Sequence, residues 1–300
     1  MKENVTRLER LMSLDGLVRI DNPIMLAEIG SGSPVLAITA AMHGDEETGV
    51  FILDIVRKNI RPERGTVRLI VANPPALFRG VRFVNGDMNR AFPGDKGSIG
   101  EKGIAADVLD IVEDSDFTID LHTSSSPTQT FAIVGNKEKR RVELAEMAGV
   151  KKILYIPKQN SYAMIDFVKC GIGIELGLHN SQYAYDSGLL LINNVLNRLG
   201  LTTEEIGKQD DAYEYFQVTG SIPKPFSAPV QIYCQNFKLV HAGETIAKTD
   251  SKGTVLPKLS DLMTAQEDFY PILVGERAYK DIVCIKAKKI SREKMIEESK

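Results

Sequence analysis

Over its first two-thirds the chain alternates short apolar runs with stretches in which apolar residues recur every three or four positions. Residues 34–41 (PVLAITAA) form an apolar run that ends in a polar turn, the pattern of a buried strand. Residues 45–60 follow with Val50, Leu53, Ile55 and Val56 at spacings that suit a helix. Residues 66–72 are β-rich and stop at Asn73-Pro74-Pro75, a strong breaker. The same reading predicts a helix over 101–113, with Ile104, Val108, Ile111 and Val112 on one side, and a strand over 117–121. Further strands are expected over 130–134, 152–156 and 171–176, and further helices over 137–148 and 181–199. Strands alternating with helices argue for an α/β sheet with helices on both faces.

The pattern changes after Gly200. Residues 202–211 are polar and charged, as a linker would be. Beyond them 213–218, 230–234, 237–240, 244–248 and 281–286 are short and β-like, with turn residues between them at roughly even spacing. That is the mark of a small all-β unit. The division falls near residue 205 and gives two units, 1–205 and 206–300.

Composition narrows the class. The chain has 300 residues, 43% apolar and 26% charged, which is ordinary globular usage for one large domain or two smaller ones. Lys plus Arg is 37 and Asp plus Glu is 40, so the formal charge is −3 and no nucleic-acid partner is expected. The basic cluster Lys286, Lys288 and Lys289 reads as a solvated strand end. Cys170, Cys234 and Cys284 lie far apart in sequence and make no disulfide framework, so a reducing cytoplasm is expected. Residues 1–17 are studded with charge and do not read as a secretory signal. No window approaches the roughly 18 uncharged apolar residues of a membrane span, so no membrane partner is expected.

Four histidines focus the search for chemistry: His43, His122, His179 and His241. His43 and Glu46 are three apart across a glycine-containing turn where a strand gives way to a helix. That spacing lets an imidazole and a carboxylate reach one ion, although a histidine hydrogen-bonded to a carboxylate at a helix start has the same signature. His122 follows the strand-like FTIDL and precedes the Thr-Ser-Ser-Ser-Pro loop. Two histidines and a glutamate at strand ends make the ligand set of a catalytic zinc with an open fourth position. Asp120, on the same strand face, either orients His122 or is an ordinary surface acid.

Asn85-Gly86-Asp87-Met88-Asn89-Arg90-Ala91-Phe92-Pro93-Gly94 is a glycine-rich turn with Arg82 eight residues before Arg90. An arginine fork suits a carboxylate, and solvated surface charge is the alternative. Glu175, in the apolar stretch GIGIELG, must be paired, metal-linked or functional. Its alternatives are a proton shuttle near neutral pH and an ion pair with a lysine such as Lys169. His179 is a candidate pocket residue and His241 a turn residue. Residues 124–126 read as a flexible serine loop, and no Gly-x-Ser-x-Gly elbow is present.

Taken in order, His-Gly-x-Glu, Asn-Pro, an arginine ahead of Asp-x-Asn-Arg-x-Phe-Pro-Gly, Asp-Leu-His-Thr and Gly-Ile-Glu-x-Gly resemble the succinylglutamate desuccinylase/aspartoacylase family. That family lies within the wider zinc carboxypeptidase-like group. The resemblance spans residues 35–177, and Val274-Gly275-Glu276-Arg277-Ala278-Tyr279 extends it weakly into the β-rich part. It implies a mixed sheet flanked by helices that carries the site, with a smaller β-rich C-terminal domain narrowing the mouth. It implies one zinc ion per chain on His43, Glu46 and His122, with Glu175 as general base and Arg82 polarising the scissile carbonyl. Asn89 and Arg90 match the pair that holds a substrate carboxylate, and Tyr279 matches a C-terminal substrate contact. The ligand types also suit cobalt or nickel.

The implied activity is hydrolysis of the amide bond of a small anionic N-acyl amino acid, and a homo-oligomer is allowed. One departure stands out. Aspartoacylases carry an arginine about ten residues before the base, where this chain reads Ser161-Tyr162-Ala163-Met164-Ile165-Asp166. Asp166 would repel an anion, with Lys158 or Lys169 as substitutes for the missing cation, so N-acetylaspartate and, less strongly, succinylglutamate are disfavoured. The competing readings are a zinc carboxypeptidase acting on a small peptide and a binding protein that lost activity. The second is disfavoured because every ligand and the base are present.

Overall fold

The computed structural model describes residues 11, 23–157, 162–203, 212–224, 230–249 and 262–296. Lys158, Ser161 and most of the expected linker, 204–211, lie outside the described residues. The strands of the large sheet are β1 (Ile24–Ser31), β2 (Val35–Ala40), β3 (Gly65–Val71), β4 (Phe117–Ser124), β5 (Phe131–Val134), β6 (Lys152–Tyr155), β7 (Gly171–Leu178) and β8 (Glu214–Pro223), joined by β12 (Tyr270–Ile272) and β13 (Ile282–Ile290). Their order is β1-β3-β2-β4-β7-β5-β6-β8-β13-β12. β3, β2, β4 and β7 run parallel, β5 reverses against β7, and β5, β6 and β8 are again parallel. A second, antiparallel sheet holds β9 (Val230–Ile232), β10 (Thr245–Thr249) and β11 (Leu262–Thr264) in the order β11-β10-β9. The protein is thus a mixed α/β fold with a separate small β-sheet.

Side-chain alternation along the strands decides which face each helix covers. Leu36, Ile38 and Ala40 of β2, and Val67, Leu69 and Val71 of β3, belong to one core. That core also contains residues of α1 (Thr48–Asn59), α4 (Lys139–Met147) and α5 (Gln182–Arg198). Ala37 and Ile70 point the other way, to a core shared with α3 (Glu101–Val112). The helical periodicity of 45–60, 101–113 and 181–199 therefore marks the faces that meet the sheet. Arg141 in α4 is buried and donates to the backbone carbonyls of Ile165, Val168 and Gly171, which ties the 164–171 stretch down beside β7.

Several expectations are corrected. β3 does stop ahead of Asn73-Pro74-Pro75, but that stretch also begins a helix, α2 (Pro74–Arg79). Asn73 caps it by accepting from the Ala76 N–H, and proline is tolerated in a first turn because its N–H would be unpaired anyway. β4 runs on through Ser124, past the expected end at Leu121, and His122 lies in its carboxyl-terminal half. Residues 237–240 form no strand: Phe237 has φ of 60° and packs edge-on to Phe131 and Phe216, with centroids 5.2 Å away. β1, β11 and β12 carry no clear period-2 signal in the sequence. Among the described residues no helix is long and apolar enough to cross a membrane.

Candidate metal centre and cavity

Parallel strands bring their carboxyl ends together, and that crevice is where open α/β sheets bind ligands. Here β4 lies between β2 and β7, with His122 registered opposite Glu175. β2 ends at Ala40, and Ala41 takes a left-handed φ of 54°, a conformation a non-glycine residue keeps only where its surroundings over-determine it. The chain turns there into His43-Gly44-Asp45-Glu46. A Cβ on Gly44 would collide with the backbone of Ala76 and Leu77, so this close approach to α2 requires glycine. The Gly44 N–H donates to the Arg82 carbonyl at 3.1 Å and ties the turn to the next loop.

Glu46 sits between two imidazoles. His43 Nδ1 is 2.7 Å from its Oε1, and His122 Nδ1 is 2.9 Å from its Oε2. The Thr123 N–H also donates to Oε2 at 3.1 Å. His43, Glu46 and His122 are all buried, with donor atoms within 4.8 Å of one another, and the group can hold a metal ion. Each histidine also has its other nitrogen against a carboxylate: His43 Nε2 is 3.2 Å from Asp87, and His122 Nε2 is 2.8 Å from Asp120. Such partners fix the tautomer of a ligating imidazole. Asp120 in turn accepts from the Thr39 hydroxyl at 2.6 Å and is 1% exposed, which removes its reading as a surface acid.

The charges are strongly coupled. Burial opposes a charge on either imidazole, yet Glu46 and Asp87 raise the His43 pKa, and Asp120 and Glu46 raise that of His122 well above its usual value. Burial likewise opposes the Glu46 charge, but the two imidazoles outweigh it and hold that carboxyl well below the usual range. Arg82 donates to Glu46 at 3.3 Å and to Asp87 at 3.2 Å. Glu175 faces a different environment. Burial pushes it up to about 7 against the pull of His122, with Glu46 and Glu276 adding to the rise. Its Oε2 is buried without a hydrogen-bond partner.

These groups border a cavity of about 210 Å³, lined by His43, Arg82, Asn89, Arg90, His122, Glu175 and Tyr279 among others. All eight candidate residues therefore come together, with Glu46 holding the two histidines from behind. Asn89 places its amide 3.1 Å from His122 Nε2. Tyr279 is hydrogen-bonded to Arg90, and its pKa is raised by burial against the opposing charge of Arg90.

Other candidates lie elsewhere. His179 is 2.7 Å from the Thr123 hydroxyl and is not among the residues lining the cavity. His241 is an exposed partner of Asp268. Lys169 donates to the Asp114 carbonyl at 2.7 Å on the surface, so it neither pairs with Glu175 nor replaces the missing arginine.

The serines of 124–126 are anchored rather than loose. Ser125 donates through its N–H and hydroxyl to Glu276 at 2.8 and 2.7 Å, and Ser126 donates to the Val274 carbonyl at 2.8 Å. This clasp holds the turn that carries Tyr279. Asp87 and Glu276 both stood inside motifs already singled out, but nothing local to them signalled their partners. Thr39 carried no signal beyond its place on a strand.

A mixed α/β sheet with a buried His/Glu/His group at its strand ends defines a class of protein able to place one metal ion beside a small cavity. Residues 33–197 match the succinylglutamate desuccinylase/aspartoacylase catalytic domain. The chain belongs to the succinylglutamate desuccinylase/aspartoacylase family. It is 33% identical over 247 residues to a succinylglutamate desuccinylase of Pseudomonas fluorescens (strain Pf0-1), covering 71% of this chain and 72% of that one. It is 24% identical over 272 residues to a probable aspartoacylase of Prochlorococcus marinus (strain MIT 9515), covering 82% and 90%. The fold matches the crystal structure of a succinylglutamate desuccinylase/aspartoacylase from Rhodobacter sphaeroides with a TM-score of 0.72 at 21% identity, covering 87% of both chains.

Proposed function

We propose that the protein is a zinc-dependent deacylase that hydrolyses the amide bond of a small N-acyl amino acid. The observation that carries this reading is the unpartnered, buried Oε2 of Glu175 in the wall of the cavity that His43 and His122 also line. Two imidazoles and a carboxylate, each imidazole braced by a second carboxylate, suit zinc. Bound by His43, Glu46 and His122, zinc would supply Lewis-acid chemistry, lowering the pKa of a water to about 7 and polarising a carbonyl.

The residues of the chain do the rest. Glu175 takes a proton from the attacking water as the carbon–oxygen bond forms. It returns that proton to the nitrogen as the carbon–nitrogen bond breaks, leaving a carboxylic acid and a free amine. Arg82 stabilises the charge that gathers on the carbonyl oxygen. Arg90 and Asn89 hold a carboxylate of the substrate, so the reacting carbonyl is positioned before reaction. Residues 1–205 carry the chemistry, and the β-rich 206–300 narrow the mouth, in keeping with Tyr279 and Ile285 in the cavity wall. A cavity of this size suits a small acyl amino acid better than a peptide. The three free cysteines suit a reducing cytoplasm.

The test couples metal analysis with amine release. The protein is expected to bind one zinc per chain and to release amine from N-acyl amino acids. Glu175→Gln is expected to keep the zinc and to lose at least about 100-fold in kcat. Near-normal turnover by that variant would remove the assigned base. Failure to take up zinc would remove the whole reading.

A further inference from the structure

The described lining of the cavity is of two kinds. Beside the charged and polar groups already named, it includes Ile133, Ile156, Pro157, Ile165 and Ile285, with Gly135 and Gly173 among them. Among the described residues lining it, the arginine cations are Arg82 and Arg90. Arg82 is already engaged by Glu46 and Asp87. Arg90 forms no ion pair among the described residues; it donates to the Asn89 carbonyl at 2.8 Å and is hydrogen-bonded to Tyr279. Among the described lining residues Arg90 is therefore the arginine left to answer a substrate carboxylate.

The apolar lining is unsuited to a second. Gly173 is registered opposite Ile133 in the β5–β7 pair. A Cβ on it would sit 3.7 Å from Ile133 and 3.9 Å from Ile165, so the missing side chain is what leaves space between them. Just past the end of β5 a Cβ on Gly135 would collide with the Asp166 carboxylate, which stands close to this part of the lining. A carboxylate brought here would exchange water for methyl groups. An apolar side chain would not meet that cost.

We infer that the substrate carries a single carboxylate, held at Arg90 and Asn89, and an uncharged apolar side chain lodged against Ile133, Ile165 and Ile285. This rests on the deacylase reading and narrows it to N-acyl derivatives of apolar amino acids, of the leucine or methionine kind.

The experiment is amine release by zinc-loaded protein from a matched panel: the N-acetyl derivatives of leucine, methionine, alanine, aspartate and glutamate, together with N-succinylglutamate. N-acetylleucine and N-acetylmethionine are expected to exceed the acidic members by at least about 100-fold in kcat/KM. Gly173→Ala, which fills the gap with an ordinary van der Waals contact, is expected to lose at least about tenfold more on N-acetylleucine than on N-acetylalanine. Acidic members turned over as fast or faster would overturn the inference and leave the deacylase reading standing. Equal losses on the two apolar substrates in Gly173→Ala would also overturn it. A zinc-loaded protein inert on the entire panel would overturn the deacylase reading, and this inference with it.

Discussion

The parallel strands β2, β4 and β7 and the late strands β12 and β13 flank the same cavity and bring it different things. From the first region, strand ends and the turns after them deliver His43, Glu46, Asp120, His122 and Glu175. All are charged or titratable, and all but Glu175 are clamped by at least one neighbour. The late region delivers Tyr279, from the turn before β13, and the apolar Ile285. That turn is held to the first region through Glu276 and Ser125. Reacting groups need a pre-organised, low-dielectric setting, which the ends of buried parallel strands offer. Shape needs only packing, which a late addition to the sheet edge can supply. The first region is thus expected to govern kcat and the second KM and selectivity.

The sharpest way to break that contrast is to remove the carboxylate both imidazoles share. Glu46→Ala is expected to abolish stoichiometric zinc binding, read by metal analysis, and to lower kcat/KM by about 10⁴-fold or more. Retention of a full zinc equivalent would show that the histidines hold the ion without it. Next in size is Arg82→Lys, which keeps the charge but loses the fork that spans Glu46 and Asp87. Steady-state kinetics should show kcat down about 10²–10³-fold with a smaller change in KM.

The late region should respond differently. Glu276→Gln places an amide donor where the carboxylate accepts from Ser125 and from the Ala278 N–H at 3.1 Å. KM is expected to rise about tenfold with kcat less affected. A fall confined to kcat would place Tyr279 with the reacting groups instead.

The smallest effect is expected far from both regions. Asp54, near the middle of α1, is hydrogen-bonded to Arg57 at 2.8 Å and Lys58 at 2.7 Å. Burial pushes its pKa up, but these two cations outweigh it and lower the value. A lowered native pKa contributes stability above the unfolded carboxylate value of about 4, and that contribution is lost as pH falls through the native value. Asp54→Asn should therefore cost roughly 0.5–1 kcal/mol at pH 7 and converge with the parent in strong acid, as read by denaturant unfolding. Its kinetics should match the parent.

Much of the first region was legible because its signals are local. The spacing of His43 and Glu46, the strand-like FTIDL before His122, and the buried-looking Glu175 all sit within a few residues of the turns that aim them. The late region was less legible. β12 is three residues long and contains Pro271, so it offers no run of alternation to read. Phe237 looks like a strand residue, yet it is a wedge between Phe131 and Phe216, a role set by residues over 20 and 100 positions away.

From the sequence alone came the α/β alternation, the change of pattern after Gly200 and the residues that converge at the strand ends. Helical and strand periods are set by backbone geometry within about ten residues, so one chain displays them unaided. Tertiary structure alone decided that Asp87 and Asp120 brace the two histidines, that Lys169 turns away to Asp114, and that Ile133, Ile156, Ile165 and Ile285 share one wall. The reason is that burial and charge neighbours depend on which distant strands the sheet order lays side by side. No local period records that order.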